Sequence, residues 1–511
     1  MAGGMLQLVA YGVQDVHLFG MPEFTLWKAA YKRITHFAIE CKELQFSGNT
    51  GFGKTATIVI PRDGDLLSKT KLRIMIPSVT PTSGKNFRWL NFLGHVIVKN
   101  FKLEIGPNEI DKQYGEWLHI WDELSNGTLA EHIAHADLVG NVPKLVQPST
   151  STKPSVELFI DLPFFFTRNP GLALPLIALQ YYETKITVEF RDKNLCYWSE
   201  NGTEANVGDF TATLLCDYIY LDTYEKRKFA TKSHEYLIEQ VQFSNDESIT
   251  SSGGNSIKLS YSHPVKYMVW VIQKDNHVNR TQMQDAGGPQ WFNYTDRVDT
   301  TGFSGTPDDP LGGGIPGGTM AHINPFWSLA YGTGVNAPNT GALTGSDRNV
   351  AMALANNGNN DVNLDDLAFQ DLFGNGNTSD AVGWNANLPV FDSGYNCCAS
   401  AKIKFNGQDR FGERTGRYFN KVQPLDYGFN TPAIGVNIYS YSLRPLDHQP
   451  TGSANFSRIN TATLELTTTP NTVIDENVSS PGSTSAKYRG YAVSYNVLRI
   501  MSGMAGVAYQ S

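Results

Sequence analysis

Short segments in which apolar and polar residues alternate recur along this 511-residue chain. Thr55–Ile60, Lys71–Ile76, Val156–Ile160 and Lys185–Phe190 place apolar side chains at every second position, and Val96–Ile105 does so through Val98 and Phe101. Thr211–Leu221 is a longer apolar run. A period of two bounded by Gly, Pro and Asp predicts half-buried strands of packed sheets. Further strands are expected at Tyr236–Phe243, Ile257–Tyr261, the apolar run Val265–Ile272, Ala401–Phe405, Gly435–Leu443, Thr461–Thr467 and Tyr488–Met501. One segment breaks the rule. Gly115–Leu124 brings Trp117, Ile120, Trp121 and Leu124 onto one helical face.

The pattern also starts twice. Thr35–Gly48 and Lys232–Asn245 align so that Leu44-Gln45-Phe46-Ser47 meets Val241-Gln242-Phe243-Ser244, at an offset of 197 residues. That spacing far exceeds the 20–50 residues of a solenoid repeat. It predicts two whole domains of similar all-β fold in tandem, which suits a chain too long for one core. The expected division is an N-terminal arm over 1–26, a first domain over 27–225 and a second over 226–511. Asp222–Phe229, between them, is short and charged and lacks the composition of a flexible linker, so the domains are expected to pack side by side.

Two regions stand outside the strands. Met1–Gly20 carries Leu6, Leu8, Val9, Tyr11, Val16, Leu18 and Phe19, and its glycines at 3, 4, 12 and 20 let it bend along a partner. Such an arm must dock on something. Residues 281–400 hold 18 of the 47 glycines, with many Asn and Asp. Trp291, Trp327 and Trp384 within them predict long ordered loops rather than a disordered linker.

Composition narrows the function. Aromatics at 12%, 25 prolines and 47 glycines suit an all-β protein with many turns. A net charge of -8 offers no basic field for nucleic acid. Met1–Phe19 lacks the order of a secretory signal, and no run approaches the ~18–20 apolar residues of a membrane span. Cys41, Cys196, Cys216, Cys397 and Cys398 are odd in number and form no C-x-x-C, so free thiols and assembly inside a cell are expected.

Candidate chemistry is sparse. Gly48–Thr55 matches the Walker A pattern, but β-branched Ala56-Thr-Ile-Val-Ile60-Pro61 follows where a phosphate-binding helix should begin. A glycine-rich hairpin loop is the better reading. Glu131, His132, His135 and Asp137 could face a metal, yet the spacing is not H-E-x-x-H and no third ligand is evident. His263-Pro264 reads as a turn. Asn126, Asn201, Asn279, Asn293, Asn377, Asn455 and Asn477 begin N-x-S/T triplets, expected to stay unmodified away from the secretory route. No catalytic, cofactor or metal residue is assigned.

Longer blocks carry a resemblance. Gly3–Asp15, Pro22, Trp27-Lys28, Tyr31-Lys32-Arg33 and Phe37 resemble the N-terminus of major capsid proteins of nucleocytoplasmic large DNA viruses. So do Phe52-Gly53-Lys54 with Ile60–Leu66, Leu174–Tyr181, Ser233–Gln240, Gly407–Phe411, Arg417–Phe419, Val422–Pro424, Gly435–Ser440, Arg444-Pro445, His448–Gly452, Asn455–Ile459 and Tyr495–Met504. The blocks run in order along the whole chain and weaken only over 281–400. The resemblance implies two tandem eight-stranded antiparallel jelly rolls, a homotrimeric pseudo-hexameric capsomer of an icosahedral shell, and no catalysis. It also implies minor capsid and penton proteins as partners and an arm on the inner face, in reach of an internal viral membrane. The virion would be its location, after assembly in the host-cell cytoplasm. A jelly-roll glycan-binding protein and a P-loop hydrolase are the alternatives.

Overall fold

The computed structural model describes residues 13–14, 27, 29 and 33–509, apart from 83, 127–128, 201, 203–205, 245, 285–286, 299–395 and 476–481. The first barrel is built from β1 (Phe37–Gln45), β2 (Thr55–Val59), β3 (Leu66–Ile76), β4 (Val98–Ile105), β5 (Asn108–Tyr114), β6 (Val156–Asp161), β7 (Thr184–Phe190) and β8 (Thr211–Leu221). The second uses β9 (His234–Phe243), β10 (Gly253–Lys258), β11 (Pro264–Lys274), β12 (Cys398–Phe405), β13 (Gln408–Asp409), β14 (Asn437–Ser440), β15 (Ala462–Thr468) and β16 (Ala486–Met501).

Sheet order is the decisive feature. The first barrel packs β1-β8-β3-β6 against β2-β7-β4-β5, and the second packs β9-β16-β11-β14 against β10-β15-β12-β13. Adding eight to every first-barrel label yields the second barrel. Each is an antiparallel jelly roll, and together they form a double jelly roll. Leu44 lies opposite Leu214 on β8, and Val241 lies opposite Val493 on β16. The echoed residues thus occupy equivalent first strands.

Alternation sets the cores. Leu72, Ile74 and Ile76 of β3 point inward beside Leu158 and Ile160 of β6. Met268, Trp270 and Ile272 of β11 fill the second barrel with Leu464, Leu466 and Ile403. The other face of β11 and β16 is not solvated. Tyr267, Val269, Val271, Val493 and Leu498 belong to the same apolar cluster as the first barrel's core. The sheet β9-β16-β11-β14 is therefore covered on both sides, which explains why Tyr267–Ile272 reads as continuously apolar.

Some boundaries differ from expectation. The strand expected from Val96 begins at Val98, because Leu93–Ile97 is a buried helical turn entered through Phe92 at φ 50°. The strand expected at Ile257–Tyr261 runs instead over Gly253–Lys258 and pairs with Thr463–Thr468. Only Asn437–Ser440 of Gly435–Leu443 is strand. Asp222–Phe229 is no mere connector. Thr223–Thr231 is a helix with no buried residue, lying between β8 and β9. The expected helix forms over Gly115–Ser125, followed by Leu129–Leu138.

The chain ends by reaching back. After β16 it turns through Gly503, at φ 80°, into Met504–Val507, which pairs with Leu498–Met501. The Gly503 carbonyl accepts from the Tyr181 amide at 2.9 Å, and Asn108 Nδ2 donates to the Ala505 carbonyl at 3.1 Å. A Cβ on Gly503 would sit 2.6 Å from the Tyr181 ring, so this hairpin fits the first barrel only as glycine.

The two barrels point the same way. Phe37 of β1 pairs with Leu221, and His234 of β9 pairs with Ile500; Tyr181, just past Ile177, which bonds to Asp65 beside Ile219, bonds to Gly503 just past Ile500, so both barrels begin at one end. Lys274 pairs with Ala486 at the opposite end, where the long insertion departs. Its described flank packs on the first barrel: Arg88 Nε donates to the Gly287 carbonyl at 2.8 Å and Trp198 Nε1 to the Gln284 carbonyl at 2.7 Å. Trp291 Nε1 donates to the Leu195 carbonyl at 3.0 Å. Trp327 and Trp384 lie outside the described residues, as does the arm except for Val13 and Gln14.

Candidate functional site: the seam between the barrels

The seam brings together residues that the sequence keeps far apart. Glu116, at the start of the helix following β5, is buried in the first barrel. It receives Arg191 Nη2 at 3.0 Å and Arg489 Nη1, from β16 of the second barrel, at 3.1 Å. Burial alone would raise this carboxyl. The two guanidinium charges outweigh it and hold the pKa below the ordinary range. Arg489 also meets Asp246 at 3.1 Å, while the Arg191 guanidinium stacks 3.7 Å above the Trp291 ring.

Strand edges continue the contact. The Val241 amide of β9 donates to Asp111 Oδ1 of β5 at 3.2 Å, and Gln240 Nε2 donates to the Ile110 carbonyl. Burial pushes the Asp111 carboxyl up to about 6 despite these bonds. Tyr114 packs on Phe243 at 4.7 Å between ring centroids, and Trp117 on Tyr491 at 5.4 Å. Arg168 stacks 4.1 Å from the Trp121 ring and pairs with Glu239 at 3.2 Å; Lys266 meets the same carboxylate.

Glu123 closes the far side of the seam. Its Oε2 accepts from the Ala433 amide at 3.1 Å, and the Asn430 amide donates to the Leu124 carbonyl at 3.1 Å. Burial, reinforced by the adjacent Asp122 charge, pushes the Glu123 carboxyl up to about 8. At neutral pH it is mostly protonated. Two glutamates near opposite ends of one helix thus serve the seam in opposite charge states.

The motifs singled out in the sequence are structural here. Gly48–Lys54 is the turn between β1 and β2, and Thr55–Val59 is a strand where a phosphate site needs a helix. Lys54 Nζ pairs with Asp209 at 2.9 Å, and the Gly53 amide is spent on the Arg191 carbonyl at 3.0 Å. A Lys54→Ala chain should therefore fold and associate like the wild type, and neither should bind ATP at micromolar concentration in calorimetry. Micromolar binding by the wild type that vanishes in the variant would defeat this reading.

His135 Nδ1 lies 2.9 Å from Asp122 Oδ1. Burial opposes protonation of His135, but the Asp122 bond and charge prevail and raise its pKa. His132 Nε2 instead meets Asn430 Nδ2 at 3.0 Å. Neither histidine converges with Asp137 on a common point, and among the described residues no group of three or more His, Cys, Asp or Glu is arranged to hold a metal. His263 occupies a left-handed turn at φ 64° before β11. All five cysteines are free, with Cys41 exposed and the others buried. Burial pushes the Cys196, Cys397 and Cys398 thiols up to about 12. Asn293 is fully buried and bonded to Gln290 and to the Arg297 carbonyl, so a glycan has no access to it. Asn201, Asn377 and Asn477 lie outside the described residues.

Two jelly rolls of identical sheet order, locked by a buried ionic and aromatic seam, define a structural building block. Residues 225–506 match the family described as large eukaryotic DNA virus major capsid protein, and residues 25–222 match the major capsid protein N-terminus. The major capsid protein of Phaeocystis pouchetii virus is 39% identical, with both chains covered in full. That of Paramecium bursaria Chlorella virus 1 is 35% identical, again over all of both chains. The crystal structure of PBCV-1 VP54 superposes with a TM-score of 0.64 at 29% identity, covering 95% of this chain and 100% of that one. The Faustovirus major capsid protein shares the fold at a TM-score of 0.63 and 11% identity, covering 96% and 94%. The chain belongs to the major capsid protein family of large eukaryotic DNA viruses. Its role is structural and its place is the capsid shell.

Proposed function

We propose that three copies form a ring of six barrels, a pseudo-hexagonal capsomer that tiles an icosahedral shell and carries out no catalysis. The observation that carries this is the repeated sheet order: two near-equivalent barrels per chain offer near-equivalent sides to six neighbours once three chains close by cyclic symmetry. Residues 1–26 serve as the arm, 27–225 as the first barrel and 226–511 as the second. Minor capsid and penton proteins are the further partners. The arm meets them or an internal membrane on the inner face, and no nucleic acid is bound directly. Assembly takes place in the host-cell cytoplasm. The insertion at about 281–400 forms the outward crown, supported by its departure from the end opposite the start of β1.

Light scattering on the purified full chain tests the reading. Three times the 56.4 kDa chain mass is expected. Limited proteolysis of particles should nick the crown first and leave both barrels whole. A monomer at micromolar concentration, or first cleavage inside a barrel strand, would refute the assignment.

A further inference from the structure

The seam uses one side of each barrel, and the repetition of the fold leaves the counterpart of each side uncovered. In the seam the first barrel supplies β5 and the helix after it. The second supplies β9 and the outer face of its sheet. By sheet order the counterpart of β9 is β1, and the counterpart of β5 is β13. The chain following β13 then corresponds to the chain following β5.

Position by position, the counterparts differ in cover. With the 197-residue offset, Ile39 corresponds to Tyr236 and Cys41 to Ile238. Ile238 is 0% exposed and lies in the cluster that spans the seam, with Tyr236 packed against it. Ile39 is 58% exposed and Phe37 49%, and Cys41 is exposed beside them. The other side shows the same contrast. Ile110, Asp111 and Gln113 of β5 are buried, whereas Gln408 and Asp409 of β13 are exposed. In the helical segment after β13, Val422 is 40% exposed and Leu425 68%. Large apolar side chains gathered at such positions mark contact surfaces.

We infer that these two surfaces are halves of one interface: the outer face of β1 in one copy docks head-to-tail on β13 and the Tyr418–Asp426 segment of a second copy, repeating the geometry of the seam. The occupant is a second copy because the seam already shows how these two kinds of side fit together. A head-to-tail contact closes into a ring when its rotation permits, and alternating seam and inter-chain contacts close six barrels with three chains. The inference rests on the trimer reading and adds which residues form the contact.

The test uses the full chain. Ile39→Glu and Leu425→Glu should each raise the trimer dissociation constant on the order of thirtyfold or more, as loss of a central interface anchor does. Both should keep the wild-type circular dichroism. Met504→Glu, at an exposed position on the C-terminal hairpin and outside both surfaces, should remain trimeric. Alkylation of Cys41, the exposed cysteine on this face, supplies a readout that needs no variant: its thiol should be protected in the wild-type trimer and react on dilution to monomer. Trimers that persist in both glutamate variants, or a Cys41 thiol that reacts freely in the wild-type trimer, would overturn the inference and leave the trimer itself standing. Protection of Cys41 that survives in a monomeric Leu425→Glu chain would also overturn it, pointing to residues 1–26 of the same chain as the cover. A wild-type chain that is monomeric from the start defeats the capsomer reading instead.

Discussion

Glu116→Gln is expected to lower stability by about 3–5 kcal/mol, the usual cost of removing one partner from a buried ionic cluster. The amide keeps the shape of the side chain but leaves Arg191 and Arg489 without their shared counter-charge. The loss should appear as a lower melting temperature and as faster amide exchange in β16, where Arg489 resides. The pH dependence has a definite sign. Because the folded carboxyl is depressed, its contribution is present above the ordinary carboxylate range and disappears as pH falls through the folded value. Wild type and variant should therefore converge in acid. A variant that melts with the wild type at pH 7 would show that the seam is held by its aromatic contacts alone.

Glu123→Gln should do the reverse. Its folded pKa of about 8 lies above the unfolded value of 4.5, so the folded state binds the proton more tightly. Below about pH 4.5 both states are protonated and the group contributes no difference. As pH rises toward 8, the unfolded chain ionises first, and the folded state is penalised by about 1.4 kcal/mol per pH unit. At pH 7 the penalty is about 3 kcal/mol. Glutamine escapes it and can still accept from the Ala433 amide. The variant should gain stability that is absent near pH 4.5, grows with pH and is largest near pH 8. If it is instead weaker than the wild type at pH 8, an ionised Glu123 is being held by Lys421 and the assignment of its charge state is wrong.

These two residues show what the chain discloses and what it conceals. The strands were legible because one sheet face is buried and the other wet, so β2, β3, β6 and β7 print a period of two. The repetition was legible because equivalent first strands kept similar residues at Leu44–Ser47 and Val241–Ser244. Gly253-Gly254 hid the start of β10, since glycine disfavours a strand until a partner such as Thr467–Thr468 fixes it. Leu93–Ile97 was hidden because a buried helical turn and a buried strand are both simply apolar. That the barrels pack side by side was legible from the short connector, but the ionic pairs of the seam were not. Glu116 and Arg489 are distant in sequence, and nothing local marks a glutamate that will be charged from one that will be neutral. Glu116 at the head of an apolar helix was the one available hint. The Walker-like loop misleads for the opposite reason, since its pattern is local while phosphate binding depends on the helix that should follow.

The hairpin at the end of the chain also sets an order of manufacture. β9 opens the second barrel, yet its pairing partner β16 emerges from the ribosome only after β10 to β15 and the long insertion. Until then β11 and β14 lack their link to β9, and the edge of the first barrel at Asn108 lacks the Ala505 carbonyl. The first barrel has all eight strands once Leu221 is out and can fold while translation continues. The second must wait through the long insertion for a pairing of high sequence separation. A nascent chain can therefore carry a finished first barrel before the side that joins it to the second exists. A truncated product lacks its last strand and the clasp at Gly503, so premature termination excludes the defective chain from any assembly that depends on the completed second barrel.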